Sequence, residues 1–416
     1  MRTAAVASTS AATRAVAQRP SHAGAGSAGG EGSAGGADGA GSEGSAGGNG
    51  GPASGAGAVR DRSLRRSLLR WFDAHRRDLP WRRDRDSYRV WVSEVMLQQT
   101  RIEVAGPAFE RFVARFPDLG SLARAPEDAV LAAWSGLGYY RRARTLHAAA
   151  RALVERGERA FPRDVTAARA LPGVGEYTAA AVLSIAWGLP LSAVDGNVVR
   201  VLSRLERLGL PDGCGEPHRA IAARLLDRAR PGDWNQALME LGQSICRAGT
   251  PDCATCPVAR DCRAHAAGVE ALHPPRRVRR ATERHDLHLL VLRDRAGRLL
   301  LERGAFPHLA GLWLPTLDRG DAAELAGDAA ATKSFAHAIL HHSFAVRVRT
   351  VRLPARTLDR AARSAPGAGG AGSAGSAGGG GAARAVERRV FRPADLEAIG
   401  RSSLLTKALR AVQAAT

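Results

Sequence analysis

Lysine is almost absent from this 416-residue chain: among 60 basic residues only Lys333 and Lys407 carry a side-chain amine. The stretch from 59 to 270 has none, which removes the lysine Schiff-base nucleophile from any chemistry placed there. No apolar run is long enough to span a bilayer, so a soluble, cytoplasmic protein is expected. Five cysteines are too few for a disulfide framework in a chain of this length, and a reducing compartment is their natural setting. Residues 1–58 lack large apolar side chains and are expected to form a disordered Ala/Gly/Ser tail. Its first thirty residues hold Arg2, Arg14 and Arg19 and no acid, as an organellar address does, but without the amphipathic apolar content of one.

What is present is positive charge. A formal net charge of +20 and a pI near 11.2 point to a polyanionic partner, nucleic acid foremost. Between 59 and 270 apolar residues recur at helical spacing, as in Leu64, Leu68, Leu69 and Phe72, and an all-α domain is expected. An arginine-rich connector occupies 271–285. From 286 to 416 the period changes. His288–Arg293 and Arg298–Glu302 flank a hairpin signal at Asp294–Gly297, Phe344–Val351 and Arg389–Phe391 read as strands, and Leu396–Val412 reads as a helix. This is a smaller α+β domain, interrupted by a flexible Gly/Ala/Ser insertion at 364–383.

The stretch Leu171–Arg200 organises the helical region. Gly173 and Gly175 bracket Val174 in a tight turn, an apolar helical run follows, and the chain re-emerges at Val194-Asp195-Gly196-Asn197. Such a turn lets backbone amides approach a phosphate, and the helix start behind it favours an anion. A helical hairpin with a capping aspartate leaves the same trace when taken alone. Cys246, Cys253, Cys256 and Cys262 form C-x6-C-x2-C-x5-C, a compact loop able to wrap a 4Fe–4S cluster. Zinc is the competing occupant, although structural zinc sites usually pair two short knuckles and only one is present. Cys214 fits no ligand spacing.

The Gly-x-Gly turn, Asp195 and the cysteine spacing together resemble the helix-hairpin-helix DNA glycosylases. Leu79-Pro80-Trp81-Arg82, Ser93-Glu94-Val95-Met96-Leu97-Gln98-Gln99-Thr100 and Gly136-Leu137-Gly138-Tyr139-Tyr140 look like the adenine DNA glycosylase (MutY) family within them. The resemblance covers about residues 60–270 and continues more weakly beyond. It implies an all-α helix-hairpin-helix glycosylase domain with an iron–sulfur loop at 246–262, followed by a Nudix-like domain, in a nucleoid-associated monomer. Its substrate is double-stranded DNA with adenine opposite 8-oxoguanine or guanine. Glu94 takes the role of the acid that protonates the departing adenine, Asp195 that of the anion steadying the sugar cation, and Asn197 orients Asp195. An apolar surround for Glu94 raises its pKa, so that the two carboxyls titrate apart.

Tyr177 stands where bifunctional relatives carry a lysine, so water is expected to complete the reaction without strand cleavage. By the same resemblance Gln99 and Tyr139 wedge into the duplex, and Gly173 and Gly175 hold phosphate, with a monovalent cation as an option there. Leu79, Trp81, Arg82, Ile102 and Glu240 surround the adenine, a buried helix position suiting Glu240 equally. In the second domain Gly311-Leu312-Trp313-Leu314-Pro315 resembles the Nudix-like module, yet no Gly-x5-Glu-x7-Arg-Glu-x2-Glu-Glu box is present. Binding rather than nucleotide hydrolysis is implied. Phe344 is the candidate for contact with the oxidised base, but Ala345 and Val346 replace the polar residues that follow it in the family, leaving His341 or His342 to supply polarity.

Overall fold

A computed structural model describes residues 55–210, 215–275, 280–309, 311–318, 321–326, 332–364 and 386–413. Residues 1–54, Cys214, part of the connector (276–279) and the insertion expected at 364–383 (from 365 on) lie outside them. Helices fill the first part: α1 (Gly55–His75), α2 (Ser87–Leu97), α3 (Ile102–Arg115), α4 (Leu119–Arg124), α5 (Glu127–Ala133), α6 (Arg141–Glu155), α7 (Val165–Arg169), α8 (Glu176–Trp187), α9 (Gly196–Leu205), α10 (Glu216–Leu225), α11 (Pro231–Ser244) and α12 (Arg263–Ala266). α1 starts inside the 1–58 segment expected as tail; the apolar pattern that guided the boundary begins only at Val59.

Aspartates set several helix starts. Asp86, Asp118, Asp164 and Asp195 each accept a hydrogen bond from a first-turn amide, capping α2, α4, α7 and α9. The apolar faces then sort into two cores. One is built by the contiguous run α2–α8, with Trp91, Phe109, Phe112 and Trp134 fully buried. The other joins α1 to α9, α10 and α11, where Leu64, Leu68 and Phe72 meet Val198, Leu202, Trp234 and Leu238. Each fully buried side chain of this size contributes about 1.5–3 kcal/mol. Tyr177 packs against both cores, and so marks their seam.

The remainder is a mixed six-stranded sheet. Its strands are β1 (Glu283–Arg293), β2 (Leu299–Arg303), β3 (Leu314–Leu317), β4 (Lys333–Ile339), β5 (His342–Arg352) and β6 (Glu387–Phe391), in the order β4-β5-β1-β3-β2-β6. Only β1 and β5 run parallel. Helix α15 (Ser403–Gln413) covers one face through Leu404, Leu405 and Ala408. Helices α13 (Asp321–Ala326) and α14 (Ala355–Arg363) border the other, where Leu290, Leu292, Leu300 and Leu358 are buried. The hairpin expected at Asp294–Gly297 forms, but its strands then part and β3 pairs with both. The helix expected at Leu396–Val412 is instead a 3-10 turn over Pro393–Ala398 followed, after a break at Ile399–Ser402, by α15. That break lies against the helices: Tyr140 Oη donates to the Arg401 carbonyl at 2.6 Å, and the Arg401 amide donates to Ser135 Oγ at 3.2 Å. Gly400 approaches α5 so closely that a Cβ there would lie 2.7 Å from that of Leu131. Among the described residues no helix is long and apolar enough to cross a membrane.

Candidate active site

Glu94 sits in the second half of α2 and is 6% exposed, on a helix whose Val90, Trp91 and Val95 are buried as well. Its Oε2 accepts a hydrogen bond from Tyr177 Oη at 2.7 Å, and that hydroxyl also lies 3.2 Å from Met239 Sδ. Burial pushes the Glu94 carboxyl up to about 7; the Tyr177 hydrogen bond opposes this, Asp195 adds to it, and Arg82 pulls downward. A carboxyl so placed exchanges its proton near neutral pH.

Asp195 is the N-cap of α9. Its Oδ1 accepts from the Val198 amide at 2.7 Å and its Oδ2 from Asn197 Nδ2 at 2.8 Å. Asn197 Oδ1 in turn accepts from Arg200 Nη2 at 2.9 Å, and Arg200 Nε donates to the Cys246 carbonyl at 2.8 Å. This chain of contacts fixes the direction of the Asp195 carboxyl group. The arrangement thus pairs a carboxyl raised toward neutrality with a carboxyl group held by donors.

Both carboxyls line one cleft, together with Leu79, Trp81, Arg82, Ile102, Gln99, Tyr139, Gly173, Gly175, Tyr177 and Asn197. Gly173 has φ +77°, and a Cβ there would lie 2.5 Å from Thr145 Oγ1, so only glycine fits. Gly175 begins α8 with no side-chain cap, which leaves first-turn amides available to an anion. Gln99 and Tyr139 both have positive φ, at 57° and 46°, and Tyr139 is 46% exposed. One arginine that the sequence reading missed sets both turns. Arg142 Nη1 donates to the carbonyls of Val95 (2.8 Å), Met96 (2.9 Å) and Gln98, while Nη2 reaches Leu137 O at 3.1 Å and Gly138 O at 3.3 Å.

Two expected site residues fall elsewhere. Glu240 is buried and does not line the cleft: its carboxylate pairs with Arg77 at 2.9 Å and with Arg82. It is a buried partner that holds Arg82 rather than a wall of the pocket. Phe344 is 3% exposed within the sheet core, because residues 344, 346 and 348 of β5 all point to the covered face. The cleft is met instead by the turn between β4 and β5, where Leu340 is 67% exposed at φ +57°. A third non-glycine residue in the left-handed region therefore faces the same space as Gln99 and Tyr139.

The four cysteines converge on one small cavity whose remaining wall is largely apolar, with Val201, Leu205, Leu241 and Val258. Arg204 Nη1 lies 3.2 Å from Cys246 Sγ. Burial pushes the thiols of Cys253 and Cys256 up to about 11 and about 12, so ionising them together requires a cationic partner at their centre. A thiolate-held metal group fits this donor set.

Residues 92–212 match the family described as HhH-GPD superfamily base excision DNA repair protein. The adenine DNA glycosylase of Rattus norvegicus is 46% identical over 215 residues, covering 49% of this chain and 42% of that protein. That of Homo sapiens is 45% identical over 214 residues, covering 49% and 39%. The Arabidopsis thaliana adenine DNA glycosylase is 36% identical over 293 residues, covering 60% and 46%. The helical region is thus similar to adenine DNA glycosylases and carries the HhH-GPD superfamily match. The chain spans less than half the length of these three curated relatives. Glu94, Tyr177 and Asp195 all lie within the matched residues 92–212.

Proposed function

We propose that the protein is a monofunctional DNA glycosylase that removes adenine mispaired with 8-oxoguanine or guanine in double-stranded DNA. The observation that carries this reading is the pairing, in one cleft, of Glu94 poised near neutrality with the donor-held Asp195. The adenine is turned out of the helix into the space bounded by Leu79, Trp81, Arg82 and Ile102. Glu94 gives its proton to the base as the N-glycosidic bond breaks, Asp195 offsets the positive charge left on the sugar, and water adds at the anomeric carbon. Tyr177 donates to Glu94 and supplies no amine, so the phosphodiester backbone stays intact. Gln99, Tyr139 and the exposed Leu340 replace lost stacking as wedges, and the turn at Gly173 and Gly175 grips a phosphate, where a monovalent cation can join.

Cys246, Cys253, Cys256 and Cys262 would hold one 4Fe–4S cluster, which pins their loop; Arg247 and Arg260 on it are exposed toward solvent and suit phosphate contact. The sheet domain is the Nudix-like reader of the opposite base, acting within a monomer.

The test is base release from a labelled duplex with A opposite 8-oxoguanine, beside T:G and thymine-glycol duplexes. A nick after hot alkali only, and on the adenine duplex, is expected. Release from the other duplexes alone would refute the substrate, and nicking without alkali or efficient borohydride trapping would refute the monofunctional reading. Iron analysis decides the cofactor, at about four irons per chain for the cluster and none for zinc.

A further inference from the structure

The sheet domain carries a second concentration of metal-ligating side chains, far in sequence from the cysteines. β1 and β5 run parallel with Glu283 opposite His342 and His285 opposite Phe344. Alternation along each strand puts Glu283, His285, His342 and Phe344 on one face. His341 precedes β5 in the turn, and its carbonyl accepts from the Glu283 amide at 2.9 Å, which brings its ring beside the same carboxylate.

The donor atoms converge. Glu283 Oε2 is 3.2 Å from His342 Nδ1, and Glu283 Oε1 is 3.6 Å from His341 Nε2. One ligand atom from each of these three residues lies within 4.8 Å of the others. His285 Nε2 lies 3.6 Å from Glu283 Oε2 and 2.9 Å from His342 Nδ1. Ligands held tetrahedrally at about 2.0–2.1 Å from a zinc ion stand roughly 3.3–3.4 Å apart. The four spacings straddle that edge, and the shortest needs to open by only a few tenths of an ångström. The rings are also held in place: His285 stacks on Phe344 at 5.1 Å and 25°, and His308 lies 4.4 Å from His342. Three imidazoles thus turn toward one carboxylate.

We propose that Glu283, His285, His341 and His342 form a zinc site separate from the cysteine loop. Three imidazoles and one carboxylate suit a borderline divalent ion with tetrahedral preference, and disfavour calcium or magnesium. The ion ties β1 to the turn that carries Leu340, the residue immediately before His341, and so stiffens the hairpin tip facing the cleft. The assignment does not depend on the glycosylase reading, because neither the ligands nor the test involve base release.

The experiment uses the full-length protein with its iron content intact, treated with zinc sulfate, desalted and analysed for both metals. The expected result is about one zinc per chain, and background zinc in the double variant Glu283→Gln/His342→Gln at unchanged iron. Hydrogen exchange of the β4–β5 amides should slow on zinc addition in the wild type only. Cobalt(II) in place of zinc should give ligand-field absorption without thiolate charge transfer. Failure of the wild type to retain zinc, equal zinc in wild type and variant, or a thiolate spectrum would each overturn the site. His341→Asn, at a ligand more exposed than His342, provides the same comparison should the double variant fold poorly.

Discussion

The raised pKa of Glu94 makes a quantitative demand on stability. Carrying a glutamic acid from its ordinary 4.5 to about 7 corresponds to about 3 kcal/mol between the two protonation states. The sign follows from linkage. The folded protein binds this proton more tightly than the unfolded chain, so the contribution is fully present below pH 4.5 and is lost as pH rises through about 7. Glu94→Gln keeps the shape and a hydrogen-bond acceptor for Tyr177 but cannot ionise. Relative to wild type, the variant should gain about 3 kcal/mol between pH 4.5 and 8.5, nearly all of it before pH rises past about 7. For a helical region of this size that is about 6–12 °C in melting temperature. Thermal unfolding of both proteins at pH 5.0 and 8.5 measures it, and comparing the pair cancels every other titrating group. A gap between variant and wild type that is equal at the two pH values would mean that Glu94 is not held neutral by its surroundings, and the acid role would go with it.

Tyr177→Phe removes the hydroxyl that lowers the Glu94 pKa, so the alkaline limb of the base-release profile should move up by about a pH unit or more; a profile that stays in place refutes the contact as a control on the acid. Arg142→Met strips donors from the carbonyls behind Gln99 and Tyr139, at about 1–3 kcal/mol for each one left buried and unpaired. It should melt well below wild type and bind duplex DNA more weakly by fluorescence anisotropy, whereas wild-type values in both assays would contradict the two-turn clamp. Gly173→Ala meets Thr145 and a left-handed backbone and should cost more than about 1 kcal/mol, while Gly175→Ala, with nothing within 4 Å of the new Cβ, should melt like wild type. Equal melting points for the two alanine variants would remove the steric argument for the turn.

What the sequence revealed and what it hid divide along sequence separation. The capping Asp195, the Gly173 turn and the crowded cysteines are local patterns, and each is found in the structure at the place its neighbours imply. Arg142 escaped notice because its partners lie 42–47 positions earlier as well as beside it, and no spacing rule links an arginine to carbonyls across a fold. Glu240 has the same origin, since its partner Arg77 is 163 residues away. Phe344 is the base contact implied by the resemblance, but strand alternation turns it inward, and the exposed tip falls four residues earlier at Leu340. β3 and β4 were unseen because Leu314–Leu317 contains a proline and Lys333–Ile339 carries mixed polarity, so neither advertises a strand. The Ile399–Ser402 break depends on contact with Ser135 and Tyr140, which no periodicity in Leu396–Val412 records.

The division of the helical region into two cores has a consequence for how the chain matures. α2–α8 are consecutive, so most of their shared core lies in one unbroken stretch of chain that ends at Trp187. α1 must wait for its partners until α9, α10 and α11 exist. Asp195 gains its rigid setting only at that second closure, when Arg200 meets Gly242 and Cys246. A chain cut before the cysteine loop would therefore carry Glu94 without the contacts that fix the direction of Asp195 through Asn197 and Arg200.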